Sequence, residues 1–552
     1  MGIPKFFAWL IKKYKKSKFV FQEKINVDWF LIDMNCEIHP VCFKVLAEEQ
    51  VKDNINFKSL ENKMINAVIE YTEKLIKYAD AKNVYIAIDG PVGMSKIKQQ
   101  RQRRFKSAHD HEFFDKIKKK YGKKIEYFWS NSAISPGTKF MDKLHNKLIA
   151  WCTKQKYKII YSSANTCGEG EHKLLQFIRN NQKQNINFSY LTYGLDADLI
   201  FLMLSTGLDN VYLLREANQF DNKASEDQLN YVSIEIMKNS IYDSFLSFTT
   251  NEKIILKKDR IINDFIFLCY FLGNDFLPHL PALEIAKNGI EYLLKKYMKI
   301  YDIEHDYILN ENKTINTLIF NKFIEVLGKE EESLLTENRN NKKYYNKCQN
   351  SDPYSIELHK IENLKFKIPD PIGLGVDVDY RKKYYKHYFD VSDEEMENYI
   401  KILVKNYLEG LRWVTYYYFD TNPNWKWYFC YDNPPLLSDI SKYIIDMNNI
   451  KFVKDKPFTP LEQLLLVLPR ASSFLLPKIF SKVVTNLKSS IAYLYPFDFN
   501  IDFLYKSRYY EGIPKLPEFE INTIKHIFKK YKDELTNEEK NRNRIDDIFV
   551  FN

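Results

Sequence analysis

The segment Gly168-Glu169-Gly170-Glu171 places two carboxylates two residues apart, each directly after a glycine. A glycine has no Cβ, so the backbone can turn sharply there and a ligand can approach it closely. Apolar residues follow at positions 174, 175 and 178 with helical spacing, which predicts that the glutamates lie at or near a helix start. An acidic helix N-terminus stabilised by the helix dipole would explain this pattern. A bound cation would explain it as well, and it would draw both acids inward.

Four buried β-strands are predicted from short apolar runs bounded by polar residues. They cover residues 29–32, 83–88, 158–161 and 189–193. Helical stretches separate the runs, which predicts an α/β fold with a mostly parallel sheet and helices on both faces. In such sheets the ligand site lies beyond the carboxyl ends of the strands.

Acidic residues follow all four predicted strands, and one more lies at a Gly-Asn-Asp break after an apolar helix predicted over residues 261–271. The candidate catalytic acids and metal ligands are Asp33, Asp89, Glu169, Glu171, Asp196, Asp198 and Asp275. Each aspartate alone could be a turn or cap residue. So many carboxylates can converge in ionised form only if cations neutralise them. Oxygen ligands favour Mg²⁺ or Mn²⁺ over zinc, and two such ions about 4 Å apart can activate a water and stabilise the leaving oxygen of a phosphodiester.

A basic helix is predicted directly after the second strand. Lys96, Gln100, Arg103 and Arg104 share one face of it at about 3.6 residues per turn. Arginine forks match phosphate oxygens in pairs, so this face predicts a phosphate pocket beside the acids. The alternative is a solvated basic helix face. His39, shortly after Asp33, is a candidate for metal ligation or for stacking on a base of a single strand.

Composition limits the class of protein. A chain of 552 residues is too long for a single core, and a formal net charge of +10 fits a polyanionic partner. Seven scattered cysteines form no disulfide framework, which indicates a reducing compartment. Lysines at 12 and 13 interrupt the apolar start, so no signal peptide is predicted, and no apolar run of about 18 residues would cross a membrane.

Three regions are predicted: an α/β region with the acids and the basic helix over 1–309, a polar connector over 310–367, and a second, largely helical region over 368–552. The second region contains a helix over 403–418, an aromatic segment over 424–431 and a helix that opens at 458–465. Most of its aromatic residues are expected to be core packing.

Several segments together resemble a known family. They are Met1-Gly2-Ile3-Pro4-Lys5-Phe6-Phe7, Asp33-Met34-Asn35, Ile88-Asp89-Gly90, Gln99-Gln100-Arg101-Gln102-Arg103-Arg104-Phe105, Ser135-Pro136-Gly137-Thr138, Gly168-Glu169-Gly170-Glu171-His172-Lys173, Tyr193-Gly194-Leu195-Asp196-Ala197-Asp198-Leu199-Ile200 and Gly273-Asn274-Asp275-Phe276-Leu277-Pro278-His279. In the second region they are Glu409-Gly410-Leu411 with Trp413, Trp425-Lys426-Trp427-Tyr428, and Leu468-Pro469 with Ala471-Ser472-Ser473. In this order, over nearly the whole chain, they resemble the Xrn-type 5′→3′ exoribonucleases.

The resemblance implies a PIN- or flap-nuclease-like sheet domain whose active site is closed by the second region. It implies processive, Mg²⁺-dependent removal of nucleoside 5′-monophosphates from single-stranded RNA that carries a 5′-monophosphate. By the family pattern the seven acids hold the metals, and Lys96, Gln100, Arg103 and Arg104 hold the 5′-phosphate. Asn35 belongs to the RNA-binding set, and His39 with either Trp425 or Trp427 sandwiches the terminal base. A monomer in the cytoplasm is expected, with a nuclear or virus-associated protein as the alternative.

Two positions depart from the family pattern. Cys36 stands where a glycine is usual, and Cys167 stands where a proline usually precedes Gly168. Neither removes a candidate ligand, although loop geometry can differ. Two other functions compete with the exoribonuclease: a flap-type structure-specific endonuclease, which uses a similar acidic cluster, and a catalytically inactive RNA-binding protein. The intact acidic set argues against the inactive protein, because a surface that binds a polyanion has no use for clustered carboxylates.

Overall fold

The computed structural model describes residues 6–51, 57–126, 129–217, 228–249, 251, 254–340, 348–518 and 520–552. Residues 1–5 of the opening motif lie outside this set. The strands are β1 Val20–Phe21, β2 Trp29–Asp33, β3 Asn83–Ala87, β4 Lys158–Ser162, β5 Tyr190–Tyr193, β6 Val211–Glu216, β7 Leu229–Ser233, β8 Ile501–Asp502, β9 Ile513–Pro514 and β10 Phe549–Phe551.

The helices are α1 Phe6–Lys13, α2 Asn35–Val51, α3 Phe57–Ala79, α4 Met94–Lys120, α5 Lys139–Cys152, α6 Gly170–Lys183, α7 Ala197–Leu204, α8 Ile234–Leu246, α9 Lys258–Cys269, α10 Gly289–Glu304, α11 Thr317–Asn340, α12 Pro353–Glu362, α13 Tyr380–Phe389, α14 Met396–Phe419, α15 Leu437–Lys442, α16 Pro460–Val467, α17 Lys478–Thr485, α18 Ile521–Tyr531 and α19 Asn537–Arg542. Of the helices in the described part of the chain, none combines the length and the apolarity needed to cross a lipid bilayer.

An eight-stranded sheet, in the order β1-β7-β6-β5-β2-β3-β4-β10, takes seven strands from the first half of the chain and β10 from residues 549–551. The five central strands, from β6 to β4, run parallel, and the outer strands β1, β7 and β10 pair antiparallel. In the register, Asp33 of β2 lies opposite Ala87 of β3, which lies opposite Ser162 of β4. The segments that follow these strands therefore start at one edge of the sheet, as the predicted α/β fold requires.

All four predicted strands are confirmed, and in each of them one end differs by one residue. The flanking strands β1, β6, β7 and β10 were not predicted. β1 and β10 are two and three residues long. Strands this short carry too little periodicity to predict, and they form by pairing with residues far away in the chain, Val20 with Val232 and Phe549 with Tyr161.

Side chains of the central strands alternate between two apolar cores. Phe30 and Ile32 pack on one face with residues of α2, α3 and α5, such as Met64 and Leu144. Leu31 and Tyr85 face the other core. That core continues through α6–α10 into α11 and α14, so the sheet and much of the helical second half share it.

Helices dominate the chain after residue 255, and the second region over 368–552 is largely helical, as predicted. The long helix α11 lies within the predicted connector, and it buries Phe320, Phe323 and Ile324 in the core shared with the sheet. A third core joins α4 of the sheet half to α16 and α18, with Ile97 and Phe105 against Leu464 and Ile524. The boundaries proposed at 309/310 and 367/368 stay predictions.

Candidate active site

The edge where the parallel strands end brings the predicted acids together. Asp33 is the last residue of β2, and Asp89 lies two residues after β3. The Asn35 side chain, at the start of α2, accepts a hydrogen bond of 2.9 Å from the Asp89 backbone N–H. The Asp89 carboxylate in turn accepts one of 2.7 Å from the Gly170 N–H. These bonds tie together the segments after three neighbouring strands.

The two glycines of the glutamate segment are needed for different structural reasons. Gly168 has φ +108°, in a region that residues with a side chain rarely adopt. Gly170 opens α6 so close to Asp33 that a Cβ there would lie 2.6 Å from the Asp33 Oδ1. Glu169 is the N-cap of α6 and Glu171 lies in its first turn, as the spacing predicted.

Asp196 and Asp198 occupy the corresponding positions on the next helix. Asp196 is the N-cap of α7, and Asp198 is buried in its first turn. Arg215 of β6 donates hydrogen bonds to the backbone carbonyls of Leu195 and Asp196, which holds the turn that carries both acids. Asp275 follows α9 and a short 3₁₀ turn, at the predicted helix break.

The Lys96 ammonium lies among these carboxylates. It forms ion pairs with Glu169 and with the Asp275 Oδ2, the latter at 2.6 Å. Burial alone would lower the pKa of Lys96, but the carboxylates of Asp275 and Glu169 raise it well above its ordinary value. Lys96 is therefore a cation inside the acidic cluster, and its charge is insufficient to neutralise seven acids.

The remaining excess of negative charge is visible in the carboxyl pKa values. Burial and repulsion from Asp89 and Asp196 raise the pKa of Asp33 well above its usual range. Burial and the neighbouring Asp198 do the same for Glu171. Burial and Asp275 raise the pKa of Asp198 to about 7. These mutual influences connect Asp33, Asp89, Asp196, Asp198, Glu171 and Asp275 in one electrostatic cluster.

The donor chemistry of the cluster fits a hard divalent cation. Asp33 Oδ1, Glu171 Oε2 and Asp198 Oδ1 are buried oxygens without a hydrogen-bond partner in the described residues. A buried carboxylate oxygen of this kind is costly unless it is protonated or binds a cation. In the arrangement seen, no group of three or more His, Cys, Asp or Glu side chains among the described residues is set to hold a metal ion. In this arrangement Lys96 bridges Glu169 and Asp275.

The predicted basic face lies on α4, beside the acids. The Arg103 side chain is exposed, and Arg104 is half-buried with its Nη1 lacking a hydrogen-bond partner in the described residues. Burial and repulsion from Arg103 lower the pKa of Arg104 to about 10. The Gln100 side chain accepts a 3.4 Å hydrogen bond from Gln463. His39 is near this face and the acids, and burial lowers its pKa to about 4, so its ring is neutral at pH 7.

The two candidate tryptophans occupy different surroundings. Trp425 lines a small cavity together with Lys96 and Glu169, and its carbonyl accepts a 2.7 Å hydrogen bond from the Met94 N–H at the start of α4. Trp427 stacks on Trp413 with ring centroids 5.3 Å apart and packs against the shared core. Trp425 is thus the one of the two that lies beside the acids.

Three further residues support the site, and none was predicted to do so. Tyr417 of α14 donates a 2.6 Å hydrogen bond to Glu169. Lys173 donates to the carbonyls of Ile88 and Ser163, at 2.6 and 2.9 Å, and so joins the ends of β3 and β4. The Cys36 thiol donates to Asp33 at 3.3 Å. Lys173 is part of a resembling motif and Cys36 departs from one, whereas no local signal identifies Tyr417, which is 248 residues from its partner.

Comparison with known proteins identifies the family to which the chain belongs. The profile described as "XRN 5'-3' exonuclease N-terminus" matches residues 1–217, and the "Xrn1 helical domain" matches 255–365 and 355–552. The chain is 28% identical to 5'-3' exoribonuclease 2 of Debaryomyces hansenii, over all of this chain and 72% of that protein. It is 30% identical to 5'-3' exoribonuclease 1 of Homo sapiens, over 99% of this chain and 35% of that protein. It is 28% identical to 5'-3' exoribonuclease 2 of Arabidopsis thaliana, over all of this chain and 69% of that protein.

The chain belongs to the Xrn family of 5′→3′ exonucleases, which confirms the resemblance seen in its motifs.

Proposed function

We propose that the chain degrades single-stranded RNA from a 5′-monophosphate end, processively and with divalent cations, to nucleoside 5′-monophosphates. It is a 5′→3′ exoribonuclease, as its relatives are named. The observation that carries the finer proposal is the buried cluster of carboxylates at the strand ends, in contact through Lys96 with the basic face of α4.

The proposed metal ligands are the seven acids, with two Mg²⁺ or Mn²⁺ ions as the cofactor. The buried oxygens of Asp33, Glu171 and Asp198 support this assignment, because each lacks a hydrogen-bond donor in the described part of the chain. When bound, such ions activate a water and stabilise the leaving oxygen of a phosphodiester. Hydrolysis breaks the bond between phosphorus and the 3′-oxygen of the first nucleotide, and the water's proton ends on that oxygen.

The side chains of α4 supply the proposed contacts to the 5′-phosphate. Lys96, Gln100, Arg103 and Arg104 offer charged or amide donors on neighbouring turns, and the Nη1 of Arg104 has a donor to spare within the described residues. A monophosphate satisfies these donors, whereas a triphosphate or a cap is too bulky for the same pocket. Asn35 is proposed to have two roles. Its side chain holds the backbone of Asp89 by a hydrogen bond, and it also contacts the RNA.

The terminal base is proposed to stack between His39 and Trp425. A neutral imidazole suits stacking, and burial keeps His39 neutral at pH 7. Trp425 is preferred over Trp427 because it shares a cavity with Lys96 and Glu169, while Trp427 stacks on Trp413. A monomer and a cytoplasmic location stay predictions; the seven free cysteines are consistent with that reducing compartment.

Asp196→Ala tests the metal assignment. We expect the rate of mononucleotide release from 5′-monophosphorylated RNA with Mg²⁺ to fall by about 10²- to 10³-fold or more, since stabilisation of the reacting phosphate is lost. RNA binding, measured by fluorescence anisotropy, stays close to the wild-type value because the basic face is intact. Glu235→Ala, on an exposed position of α8, is the control and keeps full activity. Normal release by Asp196→Ala would show that the acids do not hold the metals.

Arg103→Ala combined with Arg104→Ala tests the phosphate pocket. Hydrogen bonds to charged groups contribute about 1.5–3 kcal/mol each, so the preference for 5′-monophosphate over 5′-hydroxyl RNA is expected to fall about 10- to 100-fold. The measurement is the ratio of kcat/KM for the two substrates. The control is Lys116→Ala with Lys119→Ala, two exposed cations near the other end of α4, which leaves the ratio unchanged. An unchanged ratio in the arginine variant would remove the pocket.

A further inference from the structure

A large cavity of about 760 Å³ adjoins the proposed phosphate pocket, because Arg103 forms part of the wall of both. Gln99 and Arg103 of α4 and Asp275 form part of its wall, and the second half of the chain supplies the rest, including Tyr388 and Phe503. The cavity thus shares Arg103 and Asp275 with the site described above. Its volume is in the range that holds a small organic ligand.

The lining combines ring faces with paired charges. Tyr384, Tyr388 and Phe503 present aromatic surface, and Ile368 and Leu374 add aliphatic surface. Two basic residues of the wall already have acidic partners: Lys287 pairs with Glu284 at 2.8 Å, and Arg339 with Asp370 at 2.6 Å. Lys506 and Asp432 add one formal charge of each sign to the wall, and Asp275 is paired with Lys96. The formal charges of the wall away from Arg103 therefore balance, and a ring system with a single anionic group fits it better than a polyanion does.

The proposed function creates a need for such a space. After each hydrolysis the product's 5′-phosphate still occupies the contacts of α4, and the shortened RNA carries a new 5′-phosphate that must take its place. The RNA itself fills the path by which it entered. In a processive enzyme the mononucleotide must therefore leave by a different opening, and that opening must begin beside the phosphate pocket.

We propose that this cavity receives the nucleoside monophosphate after cleavage and is the route by which the product leaves. The phosphate passes from the α4 contacts along Arg103, while the base meets the rings of Tyr388 and Phe503. The proposal rests on the proposed processive hydrolysis. It predicts that a change in the cavity slows release of the second and later nucleotides more than release of the first.

Filling the cavity tests the route. Ile368→Trp narrows it, and we expect the steady processive rate to fall about threefold or more while single-turnover release of the first nucleotide stays within about twofold of wild type, because product departure then limits turnover. Ile402→Trp, the same substitution at an exposed position of α14, is the matched control. Equal ratios of the two rates in Ile368→Trp and wild type would overturn the proposal. Loss of first-nucleotide release in the wild type would instead overturn the proposed function.

Photolabelling tests occupancy and does not depend on how Ile368→Trp folds. The probe is 8-azido-AMP, applied to Asp196→Ala with and without bound RNA. We expect RNA to abolish labelling near His39 and Trp425 and to leave labelling of peptides that contain Tyr384, Tyr388 or Phe503. Tyr388→Ala, added to that variant, reduces the remaining label. Labelling confined to the His39 and Trp425 peptides would show that the cavity holds no product.

Discussion

Lys96 illustrates how single residues combine structure and function in this site. Its ammonium pairs with Glu169 and Asp275. Burial acts to raise the pKa of Asp275, but the charge of Lys96 holds that pKa well below its usual range. A cation that neutralised these two acids would leave the ammonium available to another anion. The proposed phosphate contact of Lys96 is thus compatible with its present ion pairs only if the acids acquire another partner.

Cys36 offers a prediction at the scale of one residue. Its thiol donates to Asp33 and accepts a hydrogen bond from the Leu195 N–H, both at 3.3 Å, so it connects the β2 acid to the turn that carries Asp196. Cys36→Gly removes both bonds. A hydrogen bond contributes about 0.5–1.5 kcal/mol, so we expect kcat/KM to fall about 2- to 10-fold.

Cys36→Ser is the matched variant, because its hydroxyl can make both hydrogen bonds, and it keeps most of the activity. Cys42→Ser, at a buried position of α2 away from the acids, controls for the general effect of replacing a cysteine in this part of the fold. Exoribonuclease assays with 5′-monophosphorylated RNA measure all three. Activity of Cys36→Gly equal to wild type would mean that Asp33 is held by other contacts.

The candidate acids could be predicted individually because a general rule places them. Strand ends of a parallel sheet converge, and each acid follows a strand or a helix break that the sequence reveals. The supporting residues obey no such local rule. Tyr417 reaches Glu169 through the packing of α14 against α6, where its ring stacks on His172 at a centroid distance of 4.2 Å. That contact depends on the tertiary arrangement, which a pattern within one segment does not contain.

At the scale of elements, α4 is the structure that joins the two halves of the site. One face of it carries the proposed phosphate contacts, from the buried Lys96 to the exposed Arg103, and its other face is anchored in the second half of the chain. Arg101 is buried and donates hydrogen bonds to the backbone carbonyls of Leu466 and Leu494, and its guanidinium lies 4.4 Å from the centre of the Phe105 ring. The position of the phosphate contacts therefore depends on α16 and the turn near residue 494.

Arg101→Met tests this anchor. The methionine keeps the apolar stem and leaves two buried carbonyls without donors, each at a cost of about 1–3 kcal/mol, so we expect the free energy of unfolding to fall by about 2–5 kcal/mol. Denaturant unfolding followed by tryptophan fluorescence measures it. Preference for 5′-monophosphate RNA is expected to weaken as well, because α4 is less firmly positioned.

Arg470→Met is the comparison for this anchor. Arg470 also donates to backbone carbonyls, those of Tyr495 and Thr485, but it is half-buried, and its hydrogen bonds in the described residues go to these two carbonyls outside α4. Its loss is expected to cost less stability, since water can solvate the freed carbonyls, and to leave the monophosphate preference intact. Equal effects of both substitutions would show that Arg101 stabilises the second half without positioning α4.

Helices and central strands were predictable from periodicity, and the exceptions have physical causes. The basic helix predicted after the second strand extends to Lys120, because no proline or glycine intervenes before Gly122. Helix α11 lies in a segment that is polar in composition, yet one stripe of it, with Phe320, Phe323 and Ile324, reaches the shared core. Average composition hides such a stripe, whereas the spacing of three or four residues reveals it.

At the scale of the whole molecule, the halves of the chain cannot be separated without exposing apolar surface. One core runs from the sheet through α9, α11 and α14, and the acids lie where this core meets the strand ends. Tyr417 and Trp425 reach the acids from the second half, and Gln463 accepts a 2.8 Å hydrogen bond from the Val92 N–H just before α4. The resemblance implies that the second region closes the site, whereas the residues of that region that lie beside the acids could be identified only from long-range packing.

We expect divalent cations to stabilise the folded chain as a whole. The cluster has buried carboxylates with raised pKa values in the folded state, and the unfolded chain has no such cluster, so Mg²⁺ or Mn²⁺ binds the folded form preferentially. At 100 times Kd this linkage contributes about 2.7 kcal/mol. We expect Mg²⁺ to raise the Tm in differential scanning calorimetry and EDTA to reverse the rise. Asp198→Asn loses most of the Mg²⁺-dependent increment, whereas Glu235→Gln keeps it. An equal increment in wild type and Asp198→Asn would place the ions elsewhere on the molecule.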